Sequence, residues 1–175
     1  MFFVLRSAPT LLFVMIVAGL TVTNAQTIKA QSDQVISGAP SVIAGDLLEV
    51  GGTRVRLYAI DAPEVDQMCE RKGKQYPCGT VSIAALKDLT AGLTRVTCFP
   101  TGKTADGTLI ARCQDPQKFD LSQQMVYTGW ALALPDAATL FHDLQQKSQT
   151  AKRGLWKGQV TPPWRWQGNS SDATK

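Results

Sequence analysis

The sequence predicts an α+β domain: a small five-stranded β-barrel of the OB type with about three helices packed outside it. Three observations predict it. Strand-like runs around a paired-glycine turn occupy residues 41–60, and a second strand pair occupies residues 94–113. Helical spacing appears once between those two groups and twice after them.

Each element has its own signal. From Ser41 to Leu57 two runs flank Gly51-Gly52, a hairpin signal because both residues take positive φ without penalty. A third strand ends near Ile60. Val65 to Cys78 is charged and contains glycine, and is expected to be a loop. Val81 to Leu93 places Val81, Ala84, Ala85, Leu86 and Leu89 at helical spacing and ends at Gly92. Thr94–Phe99 and Leu109–Cys113 read as two arms of a hairpin, with Asp106, Gly107 and Thr108 in the turn. Asp120 is a helix cap for Leu121, Met125 and Val126, with Gly129 as the stop. A last helix from about Ala138 is expected to bury Leu140, Phe141, Leu144 and Ala151 and to end at Gly154. Trp130 and Trp156 read as core, and Trp164 and Trp166 as packing the chain end onto the barrel.

Residues 1–25 read as a signal peptide: Arg6 gives the positive start, Leu11–Val22 the apolar stretch, and Thr23-Asn24-Ala25 a small-residue cleavage site. Residues 26–40 are then a flexible lead-in, 41–166 the domain and 167–175 a disordered tail. The mature chain is expected to be exported, periplasmic or secreted, monomeric, and free of the membrane once the signal is removed. Taking Arg6 from the 18 basic side chains leaves 17 against 14 acidic ones, a net +3. That permits contact with a polyanion but excludes the dense basic stripe of a strong nucleic-acid binder. Four cysteines in an exported chain read as disulfides, and their spacing matches no zinc site. Of three possible pairings the favoured one is Cys69–Cys78, closing the polar loop, with Cys98–Cys113, tying the hairpin. Each would stabilise by roughly 2–4 kcal/mol.

The chemistry concentrates in Val55-Arg56-Leu57-Tyr58-Ala59-Ile60-Asp61-Ala62-Pro63-Glu64. An apolar strand carries Arg56 and breaks at a proline turn that sets two carboxylates three residues apart. Gly45-Asp46 supplies another carboxylate upstream. A guanidinium and carboxylates around a rigid turn can bind a divalent cation and a phosphate together.

Arg56 to Glu64 resembles the Arg-Leu-x-x-(Ile/Val)-Asp-(Ala/Thr)-Pro-Glu segment of the staphylococcal nuclease family, in its exported bacterial branch. Gly45-Asp46-Leu47 is similar to that family's Gly-Asp-Thr turn without the threonine. Gly129-Trp130-Ala131, Ala151-Lys152-Arg153-Gly154-Leu155-Trp156 and the four cysteines extend the likeness over roughly residues 41–166. The resemblance implies Ca2+ held by Asp46, Asp61 and the Ala62 carbonyl, hard oxygen donors of the kind calcium prefers. It implies Glu64 as the group that orients or deprotonates the attacking water, and Arg56 as the partner of the scissile phosphate. The implied substrate is single-stranded DNA or RNA.

The chain departs from the family at several positions. The family's Tyr-Gly-Arg turn falls on Asp106-Gly107-Thr108, so its second catalytic arginine is Thr108. A positioned arginine in phosphoryl transfer is worth ~10³–10⁵ in rate. Arg112 lies about 13 Å further along the strand, and Lys103 lacks the bidentate fork. Ala44 replaces an additional acid, and Pro135 and Ala137 replace two stacking tyrosines. Arg54 reads as solvated surface charge, as do Lys147, Lys152 and Arg153. His142 reads as surface or half-buried. Two functions remain: an exported calcium-dependent nuclease weakened at Thr108, or an inactive nuclease-like module. The latter would bind nucleic acid or another anionic polymer, with a link to exopolysaccharide production.

Overall fold

The computed structural model describes residues 34–168. The expected signal peptide, most of the lead-in and most of the tail lie outside the described residues.

A six-stranded sheet forms the centre. It contains β1 (Ile36–Gly38), β2 (Pro40–Ala44), β3 (Leu47–Val50) and β4 (Thr53–Leu57), followed after other elements by β8 (Val96–Lys103) and β9 (Leu109–Gln114), in the order β1-β8-β9-β4-β3-β2. The two outermost strands, β1 and β2, are joined by Ala39 alone. The sheet must therefore curl until its ends meet. Counted as one bent strand, β1–β2 makes this the five-stranded barrel expected from the sequence. All neighbouring pairs are antiparallel except β4 and β9, which run parallel with Arg56 opposite Ile110. The barrel begins at Ile36, inside the stretch expected to be a lead-in: Ser37 and Gly38 pair with Thr97 and Val96.

Alternation fills the interior. Leu48, Val50, Val55 and Leu57 point inward with Val96, Cys98, Ala111 and Cys113. Three helices, α1 (Cys78–Thr90), α2 (Leu121–Thr128) and α3 (Thr139–Thr150), add Leu86, Leu121, Met125, Val126 and Phe141 to the same core. Asp120 caps α2 as expected, its carboxylate accepting from Gln123 N–H at 3.0 Å. Gly129 ends it at φ 81°, a conformation that favours glycine.

Several expectations need correction. The 65–78 loop contains a hairpin, β6 (Cys69–Arg71) and β7 (Lys74–Tyr76). Helix α1 starts at Cys78 rather than Val81, because its first turn packs beneath the loop that follows β5 (Ile60–Asp61). Helix α3 does not bury Leu140, which is 50% exposed, or Ala151. Its inward stripe is Phe141, Leu144, Gln145 and Ser148, with Leu144 packed against the core as expected and Gln145 accepting from Ala133 N–H at 2.9 Å. Leu140 lies one residue off that stripe, in the first turn. Pro163 rather than Trp164 is buried in the tail. Trp130 and Trp156 are half-buried against a second small cluster containing Leu132 and Leu155. Both disulfides are the favoured pair, Cys69–Cys78 and Cys98–Cys113, the latter joining residues directly opposite on β8 and β9.

Candidate active site

Asp46 sits in the tight turn between β2 and β3, where its carbonyl accepts from Leu57 N–H at 2.8 Å. That bond locks the turn to the end of β4. Leu47 faces Arg56 across the β3–β4 ladder, so Arg56 emerges beside the turn and ion-pairs through Nη1 with Asp46 Oδ2. Asp46 is only 3% exposed. Burial pushes its carboxyl above the usual range; Arg56 opposes that shift and Glu64 adds to it.

Asp61 belongs to β5, held by pairing with β10 (Leu132–Ala133). Its carboxyl is pushed up to about 6, first by burial and then by the negative charge of Asp46, with Arg56 pulling it down and Glu64 pushing it up. The three carboxylates and one guanidinium thus form a single electrostatic unit carrying one compensating charge for three acids. Ala62 and Pro63 are buried behind it, while Glu64 is exposed.

The Glu64 turn is held from below. Glu64 N–H donates to Gln67 Oε1 at 3.2 Å, and Gln67 N–H donates to the Glu64 carbonyl at 2.9 Å. The Gln67 amide is fully buried and donates through Nε2 to the Thr161 carbonyl at 2.8 Å. Gly79 N–H, in the first turn of α1, donates to the Gln67 carbonyl at 3.2 Å. A Cβ at Gly79 would lie 1.7 Å from the Glu64 carbonyl oxygen, so only glycine lets the helix approach this closely. Pattern reading passed over Gln67. Its one sequence cue was an amide three residues after Glu64, the spacing that lets a side chain close a turn onto the Glu64 backbone.

Thr108 lies apart from this cluster in chemistry. It belongs to a self-contained turn: Thr108 N–H and the Thr104 hydroxyl both donate to the Asp106 carboxylate, and Thr104 N–H donates to the Thr108 carbonyl at 2.9 Å. Arg112 stacks its guanidinium over the Tyr58 ring, 4.9 Å from the centroid. Arg153, expected to be solvated, instead lies 3.9 Å from the Tyr127 ring centroid and donates to that residue's hydroxyl and carbonyl.

Residues 54–158 match the family described as staphylococcal nuclease homologue. The chain belongs to the staphylococcal nuclease family. It is also 30% identical over 157 residues to the succinoglycan biosynthesis protein ExoI of Rhizobium meliloti (strain 1021), covering 89% of this chain and 80% of that protein. The staphylococcal nuclease fold accounts for the α+β arrangement, and membership makes this a nuclease-like domain of a kind that suggests nucleic-acid binding.

Among the described residues, no three His, Cys, Asp or Glu side chains converge closely enough to hold a metal ion by themselves. Any cation at this site would rest on two carboxylates supplemented by backbone oxygen and water. The chemistry of the site fits a hard cation: its donors are carboxylates, its charge is uncompensated, and Asp61 holds a proton more tightly than an ordinary aspartate.

Proposed function

We propose that this chain is an exported, calcium-dependent nuclease that hydrolyses phosphodiester bonds in single-stranded DNA or RNA. The observation that carries the reading is the Arg56–Asp46 ion pair at the β2–β3 turn, with the Asp61 carboxyl raised by burial and by the negative charge of Asp46. Arg56 offsets part of the cost of this negative charge, and a bound cation would offset more. Asp46 and Asp61 would hold calcium with help from the Ala62 carbonyl, and the ion would neutralise charge on the phosphate. Glu64, exposed in a turn held by Gln67, would take a proton from water. Arg56, pinned by Asp46, presents its remaining donors to a phosphate oxygen without having to be ordered first. Two disulfides support the export reading.

The test is digestion of single-stranded DNA and RNA by oxidised residues 26–175, with calcium and with chelator, beside Glu64→Gln. Calcium-dependent cleavage that vanishes in Glu64→Gln is the expected result. No cleavage by the wild type under any divalent cation would overturn the reading.

A second reading has its own support. Thr108 stands where the family has an arginine, and the relative from Rhizobium meliloti is named for succinoglycan biosynthesis rather than for a nuclease. On this reading the domain is an inactive nuclease-like module that binds nucleic acid or another anionic polymer, linked to exopolysaccharide production. Binding of a polyanion without turnover, unaffected by Glu64→Gln, would favour it.

A further inference from the structure

Strands β4 and β9 run parallel with Val55 opposite Leu109 and Arg56 opposite Ile110. Thr108 immediately precedes β9, and that register extended by one residue would bring Arg54 alongside it at one strand spacing, ~4.8 Å. Residues two apart on a strand share a face, so Arg54 and Arg56 project from the same side, about 6.6 Å apart along β4. Val55 and Leu57 point the other way, into the core. An arginine side chain is longer than one strand spacing. A guanidinium rooted at position 54 can therefore reach the space that an arginine rooted at position 108 would use.

We infer that Arg54 supplies the second guanidinium to the phosphate engaged by Arg56, taking the place of the arginine missing at Thr108. The inference rests on the nuclease reading above. Arg54 is exposed and forms no ion pair among the described residues, even though Glu49 is its cross-strand neighbour on β3. The other cations near Thr108 are less suited. Arg112 is stacked on Tyr58. Lys103 pairs with Leu109, the residue after Thr108, and offers a point charge rather than a planar fork. Two guanidinium forks from adjacent positions on one strand can each give paired hydrogen bonds to different oxygens of a single phosphate.

The experiment uses the oxidised chain and a fluorescent single-stranded oligonucleotide. Cleavage is followed in Arg54→Ala, Arg54→Lys, Thr108→Arg and the double variant Arg54→Ala/Thr108→Arg. Binding is measured against salt in a Glu64→Gln background, with Arg95→Ala as a control for loss of an exposed positive charge elsewhere. Arg54→Ala should lower kcat at least about a hundredfold, on the scale of ~10³–10⁵ for a positioned arginine. Arg54→Lys should recover little of it. The double variant should regain most of it, because the fork has only moved one strand sideways. Thr108→Arg alone should change kcat less than about tenfold. Arg54→Ala should also reduce the salt slope of binding by about 1, and more than Arg95→Ala does.

The inference is overturned if Arg54→Ala leaves both kcat and the salt slope at wild-type values. It is equally overturned if Thr108→Arg alone raises kcat about a thousandfold, since the position would then have been vacant. If neither the wild type nor Thr108→Arg cleaves, the nuclease reading fails, and the binding arm decides Arg54 separately. A slope lost in Arg54→Ala but kept in Arg95→Ala retains Arg54 as a phosphate ligand; equal slopes remove it.

Discussion

The side-chain amide of Gln67 ties two distant parts of the chain together, accepting from the Glu64 backbone and donating to the Thr161 carbonyl 94 residues away. The C-terminal segment thereby supports the turn that carries Glu64. The tail is itself anchored to the β6–β7 hairpin, with Gln159 N–H donating to the Glu70 carbonyl at 2.8 Å and Glu70 N–H returning a bond at 3.2 Å.

Replacing that amide by an apolar chain of similar length tests the support. Gln67→Met should remove both side-chain bonds while keeping the volume, costing roughly 1–3 kcal/mol of stability. The amide of Glu64 should exchange with solvent faster, and kcat should fall more than KM changes. A kcat unchanged in Gln67→Met, measured on the folded variant, would count against this support.

The acids of the site should weaken the metal-free fold. Asp61 takes up its proton at about 6 when folded, against 3.8 as a free side chain. The folded state therefore binds more protons between those values, and stability falls as pH rises from about 4 to about 6. Because Asp61 is partly exposed, solvent screening reduces the effect to roughly 1 kcal/mol. Thermal melts in chelator from pH 4 to 7 should show a smaller decline for Asp61→Asn than for the wild type. Added calcium should raise the wild-type melting temperature at pH 7 and leave Asp61→Asn unmoved. Parallel profiles for the two proteins would exclude this role for Asp61.

Gly79 should tolerate no side chain. The Cβ of Gly79→Ala would collide with the Glu64 carbonyl, so helix and turn must separate, at a cost of about 1–3 kcal/mol. Gly102→Ala is the matched control, since nothing lies within 4 Å of its Cβ position. Comparison of denaturant midpoints and cleavage rates should show loss in the first and little change in the second.

The two disulfides should separate by function. Cys69–Cys78 joins the hairpin next to Gln67 to the first residue of α1, whereas Cys98–Cys113 lies inside the barrel. Cys69→Ser/Cys78→Ser should lower kcat more than its roughly 2–4 kcal/mol destabilisation explains at a temperature where the variant remains folded. Cys98→Ala/Cys113→Ala should lower stability with kcat per folded molecule unchanged. Equal kcat in both folded variants would contradict the distinction.

Much of this fold was legible because its signals are local. Gly51-Gly52, the Asp120 cap and the Gly129 stop each act within a few residues, and each stands where expected. The strand within the lead-in was hidden because Ile36–Gly38 has no alternating pattern long enough to show, and pairing with β8 defines it. Leu140 misled because apolar character does not say which side of a helix finds a partner. Motif spacing singled out Arg56, Asp46, Asp61 and Glu64, and the structure shows Arg56 ion-paired to Asp46 and charge effects among the four. Gln67 was not, since its role depends on the distant Thr161 carbonyl. The parallel register from which the Arg54 inference is drawn was equally hidden, since it joins strands more than fifty residues apart.

The order of the cysteines bears on how the chain matures. The first pairs with the second and the third with the fourth, across separations of 9 and 15 residues. A polypeptide entering an oxidising compartment N-terminus first meets each correct partner before the next cysteine pair arrives. For a chain exported as proposed, sequential oxidation during translocation would yield the native pairing directly and leave little work for a disulfide isomerase.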